Sequence, residues 1–523
     1  MRRPTCGSPS ENSSSTRESE QQSSSKSLEQ SSCKSRKHER SEEKSEAMFT
    51  ALDDADLKLT SKLPEYILKE IRSLDGVCFY HGLAARDLVE TKLTRAGDYL
   101  IRATDNRTND FEFILSFYNK KRIHSHLTMR ADPDDKKWSL GILKDSLKFD
   151  KIIDLINHYK THPLGIGFFL KRGISKGKHL ICHDRISYNT KKDLLGSGNF
   201  SDVFRGKMEL DNCSVKVAMK NSKKLDEMLD ESKNNEANKV KKEMIQEAEV
   251  MSQLRHANIT AFFGIASDRV PILLIIEFCN GGTLEQHLTK FNDEISFQER
   301  MIFIHDASAG LKYIQSMSIT HRDIAARNCL ISVNGFVKLS DFGLGLKINR
   351  DDSGLSESNN FPARWMAPET IGRKGIFSKQ SDMWSMGILV WEIFSNAARP
   401  YSHVANDGVT AMVQAGKYPD IPKLAGEFMT KIMKQLFKLN PSERLNAQMF
   451  YNEIHTHCKD NKYLSLEKMT TINKIEGVHR DRLEHWDGYV PQVVVYDKNG
   501  KEKDWEDAPA EMLANVVWRE KAT

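Results

Sequence analysis

HRDIAARNCL (residues 321–330), followed by DFG (341–343), decides how this chain folds and what chemistry it can support. The two stretches place two carboxylates (Asp323 and Asp341), a carboxamide (Asn328) and a guanidinium (Arg327) within a short span. Moving a phosphoryl group needs a side chain that orients the attacking hydroxyl. It also needs hard oxygen ligands for a cation bridging the phosphates. Asp323 suits the first task, with Arg327 bringing positive charge beside it. Asn328 and Asp341 suit the second, as ligands for Mg2+.

Upstream, LGSGNFSDV (195–203) reads as a glycine-rich hairpin between two short strands. Gly196 and Gly198 let the backbone close over phosphates and aim main-chain N–H groups at their oxygens. The candidate nucleotide contacts there are Leu195, Gly196, Ser197, Gly198, Asn199, Phe200, Ser201, Asp202 and Val203, with Ser201 at a position where a third glycine is expected. Alone such a loop is a common turn. VAMK (217–220) then sets Ala218 and Lys220 on a strand facing the nucleotide. A buried lysine needs a counter-charge, and Glu247 in the helix-like MIQEAEVMSQL (244–254) can supply it. Taken singly, either residue could equally be an ordinary surface charge. Ile276 is the expected side chain at the back of an adenine pocket, and Glu277 to Cys279 begin the segment expected to bond adenine. Downstream come APE (367–369), SDMWSMGI (381–388) and Arg444, a candidate partner for Glu369.

These ordered motifs match the signature set of protein kinases. The resemblance implies a bilobal kinase fold over 187–458, with a β-rich N-lobe and an α-rich C-lobe. It also implies use of ATP with Mg2+, for which Mn2+ can substitute. The AARN form (325–328), with Ala325 where serine/threonine kinases carry lysine, resembles tyrosine kinases. So does FPARWMAPE (361–369), with Pro362 and Trp365 in the wall that a long phenol must lie against.

Before this segment, FYHG (79–82), DYLIRA (98–103) and INHY (156–159) resemble an SH2 domain across 79–173. That implies a central antiparallel sheet flanked by two helices, making the whole chain an α+β multidomain protein. Arg102 lies in an otherwise apolar strand. A buried arginine is costly unless it meets a bidentate anion, and phosphotyrosine is such an anion. Arg86, Thr104 and His124 are the other candidate pocket residues. His126 is set aside because strand histidines are common at surfaces. An SH2 domain followed directly by a tyrosine kinase resembles the Fer/Fes family of non-receptor tyrosine kinases. Members usually carry a long membrane-bending helical domain upstream, and here that region is short.

Composition bounds the rest. The 523 residues carry a net charge of +5, weak grounds for a nucleic-acid partner, and none is expected. The eight cysteines are scattered, without zinc spacing, and read as reduced thiols. No apolar run is long enough to span a bilayer. Residues 1–48 contain 15 serines, and 1–75 is expected to be disordered. KSRKHER (34–40) is a candidate nuclear import patch, though a solvated charge run is the simpler reading. A basic linker is expected over 174–186, an exposed charged extension over 221–243, and a C-terminal tail without clear period over 459–523.

The expected protein is a cytoplasmic monomer that phosphorylates tyrosine on protein substrates. Its SH2 domain would recruit it to tyrosine-phosphorylated partners, including those at the inner face of the plasma membrane. Two alternatives stand beside this: a pseudokinase adaptor working through its SH2 domain, and a serine/threonine kinase. The switch loop NRDDSGLSESNN (349–360) carries no tyrosine, nor does any position between 341 and 369. Either Asp351, Asp352 and Glu357 supply permanent negative charge there, or another kinase phosphorylates Ser353, Ser356 or Ser358 to engage Arg322.

Overall fold

In the computed structural model, the described residues are 63–105, 111–141, 147–164, 168–177, 179–197, 201–210, 213–222, 234–343, 346–347, 363–372, 375–464, 469–476, 478, 495–496 and 502–503. The serine-rich stretch, Gly198 to Phe200, residues 223–233 of the charged extension and NRDDSGLSESNN lie outside them. No helix among the described residues is long and apolar enough to cross a membrane.

The first ordered element corrects an expectation. Residues 65–74, grouped with the disordered N-terminus by composition, form helix α1 (Glu65–Leu74). Ile67, Ile71 and Leu74 recur at helical spacing and are buried, so EYILKEIRSL is amphipathic despite its polar surroundings. Next come α2 (Arg86–Lys92), β1 (Asp98–Asp105), β2 (Phe111–Tyr118), β3 (His124–Ala131), β4 (Trp138–Leu140), α3 (Ile152–Thr161) and the short β5 (Arg172–Gly173). The sheet order is β4-β3-β2-β1-β5, antiparallel except for β1 with β5. Strand alternation sets its two faces. Phe111, Phe113, Leu115 and Phe117 enter the core, while Ile114 and Ser116 lie on the other face. α1 is part of this domain's structure. Its Glu70 carboxylate accepts the Ile152 N–H at 2.8 Å, capping α3, whose own N-cap side chain makes no bond.

The 174–186 stretch is a second correction. It contributes β6 (Leu180–Ile181), parallel to a strand of the following sheet, and the first residue of β7 (Ile186–Ser187). Cys182 and His183 are buried, and His183 Nδ1 meets Asp268 at 2.5 Å. The segment is therefore divided: Ile174 and Lys176 bond Tyr99 and Cys78 of the first domain, and 179–186 is built into the next.

β8 (Leu194–Ser197), β9 (Ser201–Glu209), β10 (Ser214–Ser222), β11 (Phe262–Ala266) and β12 (Leu273–Glu277) make the larger sheet, with α4 (Asn234–Met251) beside it. The helical lobe contains α5 (Leu284–Phe291), α6 (Phe297–Ser316), α7 (Lys379–Phe394), α8 (Asn406–Gln414), α9 (Gly426–Leu436) and α10 (Ala447–Asp460). Their starts are written locally. Thr283 and Gln286 form a capping box for α5, and Ser296, Ser378 and Asn446 cap α6, α7 and α10. Short pairs join β13 (Ile319–Thr320) to β16 (Leu346–Lys347) and β14 (Cys329–Ile331) to β15 (Val337–Leu339). They fix the loops holding HRD and DFG. The architecture is the one the resemblance implies: an SH2-like sheet domain, then a β-rich and an α-rich lobe.

The two domains also touch directly. Gly82 of FYHG has φ +59°, and the next N–H, from Leu83, donates to the Ser267 carbonyl beyond β11 at 2.6 Å. A side chain on Gly82 would collide with that same Ser267 backbone. Beside it, Arg72 of α1 pairs with Asp184 at 3.1 Å, and Arg269 pairs with Asp184 at 2.5 Å.

The tail is partly ordered and divides between the lobes. Met469 and Ile472 are buried in the helical lobe, while β17 (Val495–Tyr496) and β18 (Glu502–Lys503) extend the larger sheet.

Candidate functional site

The cleft between the lobes gathers the charged residues singled out from sequence. Lys220 on β10 pairs with Glu247 of α4 at 2.8 and 3.1 Å, and with Asp341 at 2.6 Å. Burial alone would lower the lysine's pKa, but the Asp341 and Glu247 carboxylates more than reverse this and hold it raised. Burial likewise opposes ionisation of Asp341, and Lys220 overcomes it, keeping that carboxyl below its ordinary value. Asp341 sits at φ +63°, a left-handed conformation uncommon outside glycine. Phe342 is fully buried against the His321 ring, centroids 4.9 Å apart.

Asp323 is held from both sides. Arg327 Nη2 donates to one carboxylate oxygen at 2.5 Å, and Asn328 Nδ2 donates to the other at 2.7 Å. The loop carrying them rests on two buried carboxyls of α7 that sequence reading did not single out. Asp382 accepts the N–H groups of His321 and Arg322 at 2.8 and 2.9 Å. Glu392 accepts the Ala326 N–H at 2.9 Å. Burial pushes their pKa values up to about 6 and about 8. Arg327 also lies over the Trp365 ring at 4.4 Å, tying the catalytic loop to the wall ahead of APE. Glu369 and Arg444 form a bidentate pair at 2.6 and 2.8 Å.

The nucleotide side is less uniform. Leu195, Gly196 and Ser197 are exposed on β8; Ser201, Asp202 and Val203 begin β9; Gly198, Asn199 and Phe200 lie outside the described residues. Val203 faces Lys220 across the ladder, and Ala218 faces Ile276. Cys279 is buried, which raises its thiol pKa well above the ordinary value. Glu277 contributes differently through its side chain and its main chain. Its carboxylate is fully buried, pairs with Lys338 at 2.8 Å and accepts the Ala261 N–H at 3.0 Å. Only its main chain is left to serve a nucleotide. Sequence missed this because Lys338 lies 61 positions away.

The donor set suits Mg2+. Asn328 and Asp341 offer hard oxygens from two residues, matching a cation that keeps waters and takes phosphate oxygens as its other ligands. Among the described residues no group of three or more His, Cys, Asp or Glu could hold a metal by itself.

A second site lies on the first domain, at the face formed by α2, β1, β2 and β3. Arg102 is 5% exposed. Its Nε donates to Ser116 Oγ at 3.3 Å and its Nη1 reaches the Ala84 carbonyl at 3.5 Å. No carboxylate among the described residues comes within ion-pair distance. Burial first, and then Arg86, lower its pKa, which an anion would reverse.

Arg86 stands at the rim, paired with Glu90 at 2.8 Å, and Thr104 lies at the half-buried end of β1. The histidines exchange places relative to expectation. His124 bonds the Leu93 carbonyl at 2.9 Å, whereas His126 meets Ser116 Oγ at 2.9 Å and Glu90 at 3.0 Å. The ladder explains this: His126 pairs with Ser116, and so joins Arg102's group, while His124 pairs with Tyr118 at the strand end.

Comparisons with known proteins agree with both domains. A protein tyrosine and serine/threonine kinase model matches residues 189–454, and an SH2 domain model matches 79–159. The chain is 30% identical to human tyrosine-protein kinase Fer over 74% of its own length and 44% of that protein's. It is 29% identical to Fer-related kinase 1 of Caenorhabditis elegans, over 67% of this chain and 85% of that one. It is 30% identical to spermatocyte protein spe-8 of the same organism, covering 66% and 65%. The chain thus spans less than half the length of the human relative.

Proposed function

The chain belongs to the family of protein tyrosine and serine/threonine kinases and carries an SH2 domain, and from that premise we propose that it is a non-receptor protein-tyrosine kinase recruited by phosphotyrosine. The observation that carries the reading is the three-way contact of Lys220 with Glu247 and Asp341, with Phe342 packed inward beside it. A kinase fold kept only as a scaffold would have no need to bring these three charges together around the buried Glu247.

In this reading Lys220, steadied by Glu247, orients the ATP phosphates. Asn328 and Asp341 would hold Mg2+, which when bound would supply positive charge to the phosphate oxygens. Asp323 aligns the acceptor hydroxyl and takes its proton. The phenolic oxygen bonds to the γ-phosphorus as the bond to the β–γ bridging oxygen breaks and ADP leaves. Arg327, spanning Asp323 and the Trp365 face, keeps the acceptor wall in register with the base. Arg102, with Ser116, His126 and Arg86 around it, would receive the phosphate of a docked partner. Tethering then raises the local substrate concentration, which suits processive phosphorylation of one scaffold. Phosphotyrosine partners would also decide whether the enzyme stays in the cytoplasm or collects at the membrane.

Incubating the purified chain with a tyrosine peptide and labelled ATP tests the proposal. Phosphotyrosine should form with the wild type and vanish with Lys220→Met. Label on serine would overturn the specificity, and no label with either protein would overturn the activity.

A further inference from the structure

β10 pairs with β9 along its whole length, from Ser214 opposite Glu209 to Ser222 opposite Ser201. On its other edge β12 covers only Val217 to Asn221, because the chain leaves that ladder at Glu277 to cross between the lobes. The backbone edge at Ser214 and Val215 is therefore vacated by the crossing segment itself. An uncovered edge is a template for another strand. The chain fills it: Val215 pairs with Val495 and Ser214 with Tyr496, antiparallel, and Glu502–Lys503 backs the added strand.

Two further observations favour this occupant. VVVY (493–496) is rich in β-branched residues, and DKNGK (497–501), between the two paired strands, contains the Asn-Gly pair that favours tight reversals. At its start the tail is fastened to the helical lobe. The buried Glu299 carboxylate accepts the N–H groups of Thr471 and Ile472, each at 3.0 Å, and Thr471 Oγ1 meets His287 at 2.9 Å. From Val478 to Val495 the chain can reach about 56 Å when extended, ample to pass from one lobe to the other. Being tethered, the strand docks without the entropic cost of a separate molecule.

We propose that the edge of β10 beside the inter-lobe crossing is a strand-docking surface, that its occupant is this chain's own Val495–Tyr496, and that docking there slows nucleotide exchange. The tail then forms a second connection between the lobes, next to the first. It stiffens the strand that leads to Ala218 and Lys220, and the lobe opening that lets ADP out must work against it. The effect on exchange rests on the kinase reading; the docking does not.

The test uses the full chain and the double variant Val495→Pro/Tyr496→Pro, which removes the backbone donors without touching the cleft. Backbone hydrogen exchange over 213–217 should rise, and dissociation of a fluorescent ADP analogue should quicken several-fold. A peptide spanning 491–505 added to the variant should reverse both changes. Retained binding of a phosphotyrosine peptide confirms that the variant is folded. Unchanged exchange over 213–217 would overturn the docking. Raised exchange with unaltered ADP release would overturn its role in nucleotide exchange. Failure of the wild type to bind the analogue would instead strike the kinase reading, and leave the exchange measurement to judge the docking.

Discussion

Lys220 and Arg102 are both cations on central strands, both largely withdrawn from water, and they are neutralised in opposite ways. Lys220 meets two carboxylates of its own chain, at 2.8 and 2.6 Å. Among the described residues, Arg102 has only a serine hydroxyl and a distant carbonyl. Burying an uncompensated charge costs several kcal/mol, so a fold that tolerates one gains by binding an anion there. Lys220 thus finds its counter-charge within the chain, whereas Arg102, among the described residues, does not. A narrow bridge joins the two. Ala103, next to Arg102, donates to the Gly82 carbonyl, and Leu83 donates to Ser267.

This contrast can be broken in graded ways. Lys220→Met strands Glu247 and Asp341 beside one another, and it should lower kcat on a tyrosine peptide by on the order of 10³-fold. Calorimetric binding of a phosphotyrosine peptide to the same variant should be unchanged. Arg102→Met should do the reverse, weakening phosphopeptide affinity by about 100-fold or more. It should also raise the domain's stability by about 1 kcal/mol in thermal melts, since it removes a buried charge without orphaning a partner. A melt in which Arg102→Met is destabilised as strongly as Lys220→Met would erase the distinction.

Glu392 sharpens the comparison by being buried with no cation among the described residues bonded to it. Its folded pKa of about 8 lies above the ordinary 4.5, so the folded chain holds a proton that the unfolded chain has released. That contribution to stability is full below the unfolded value and is lost as pH rises through 8. Glu392→Gln copies the protonated form and does not titrate. It should therefore match the wild type near pH 5 and exceed it near pH 8.5 by about 2–4 kcal/mol in denaturant melts. A constant difference across that range would remove the buried proton. The smallest effect expected is that of Gly82→Ala, about 1–2 kcal/mol from its positive φ and its collision with Ser267. Faster hydrogen exchange around 267–269, with phosphopeptide affinity retained, would show that the substitution opens the bridge and spares the pocket.

The cluster in the cleft was readable from sequence because its members sit in short motifs whose chemistry admits few alternatives. Asp323, Asn328, Asp341, Lys220 and Glu247 all come together as their residue types require. Arg102 was readable for a related reason: a charge in an apolar strand demands an explanation. Their supports were not. Asp382 and Glu392 belong to a helix some 60 positions downstream of the loop they hold. The side-chain partner of Glu277, Lys338, is just as remote and was not foreseen. His124 and His126 differ by two positions, and only strand register decides which one shares Ser116 with Arg102. For α1 the signal was present in the spacing of Ile67, Ile71 and Leu74, and the polar average of the surrounding residues concealed it.

The sequence by itself determined the chemistry, because reactive groups are specified by residue type and motif spacing, and both are local. The tertiary structure alone decided which charges are compensated and which await a ligand. It also decided that 174–186 is shared between the two domains and that the tail completes the edge of β10. Those outcomes depend on contacts between residues tens to hundreds of positions apart. Burial, register and strand-edge vacancy are properties of such contacts, and they are written into no single stretch of the chain.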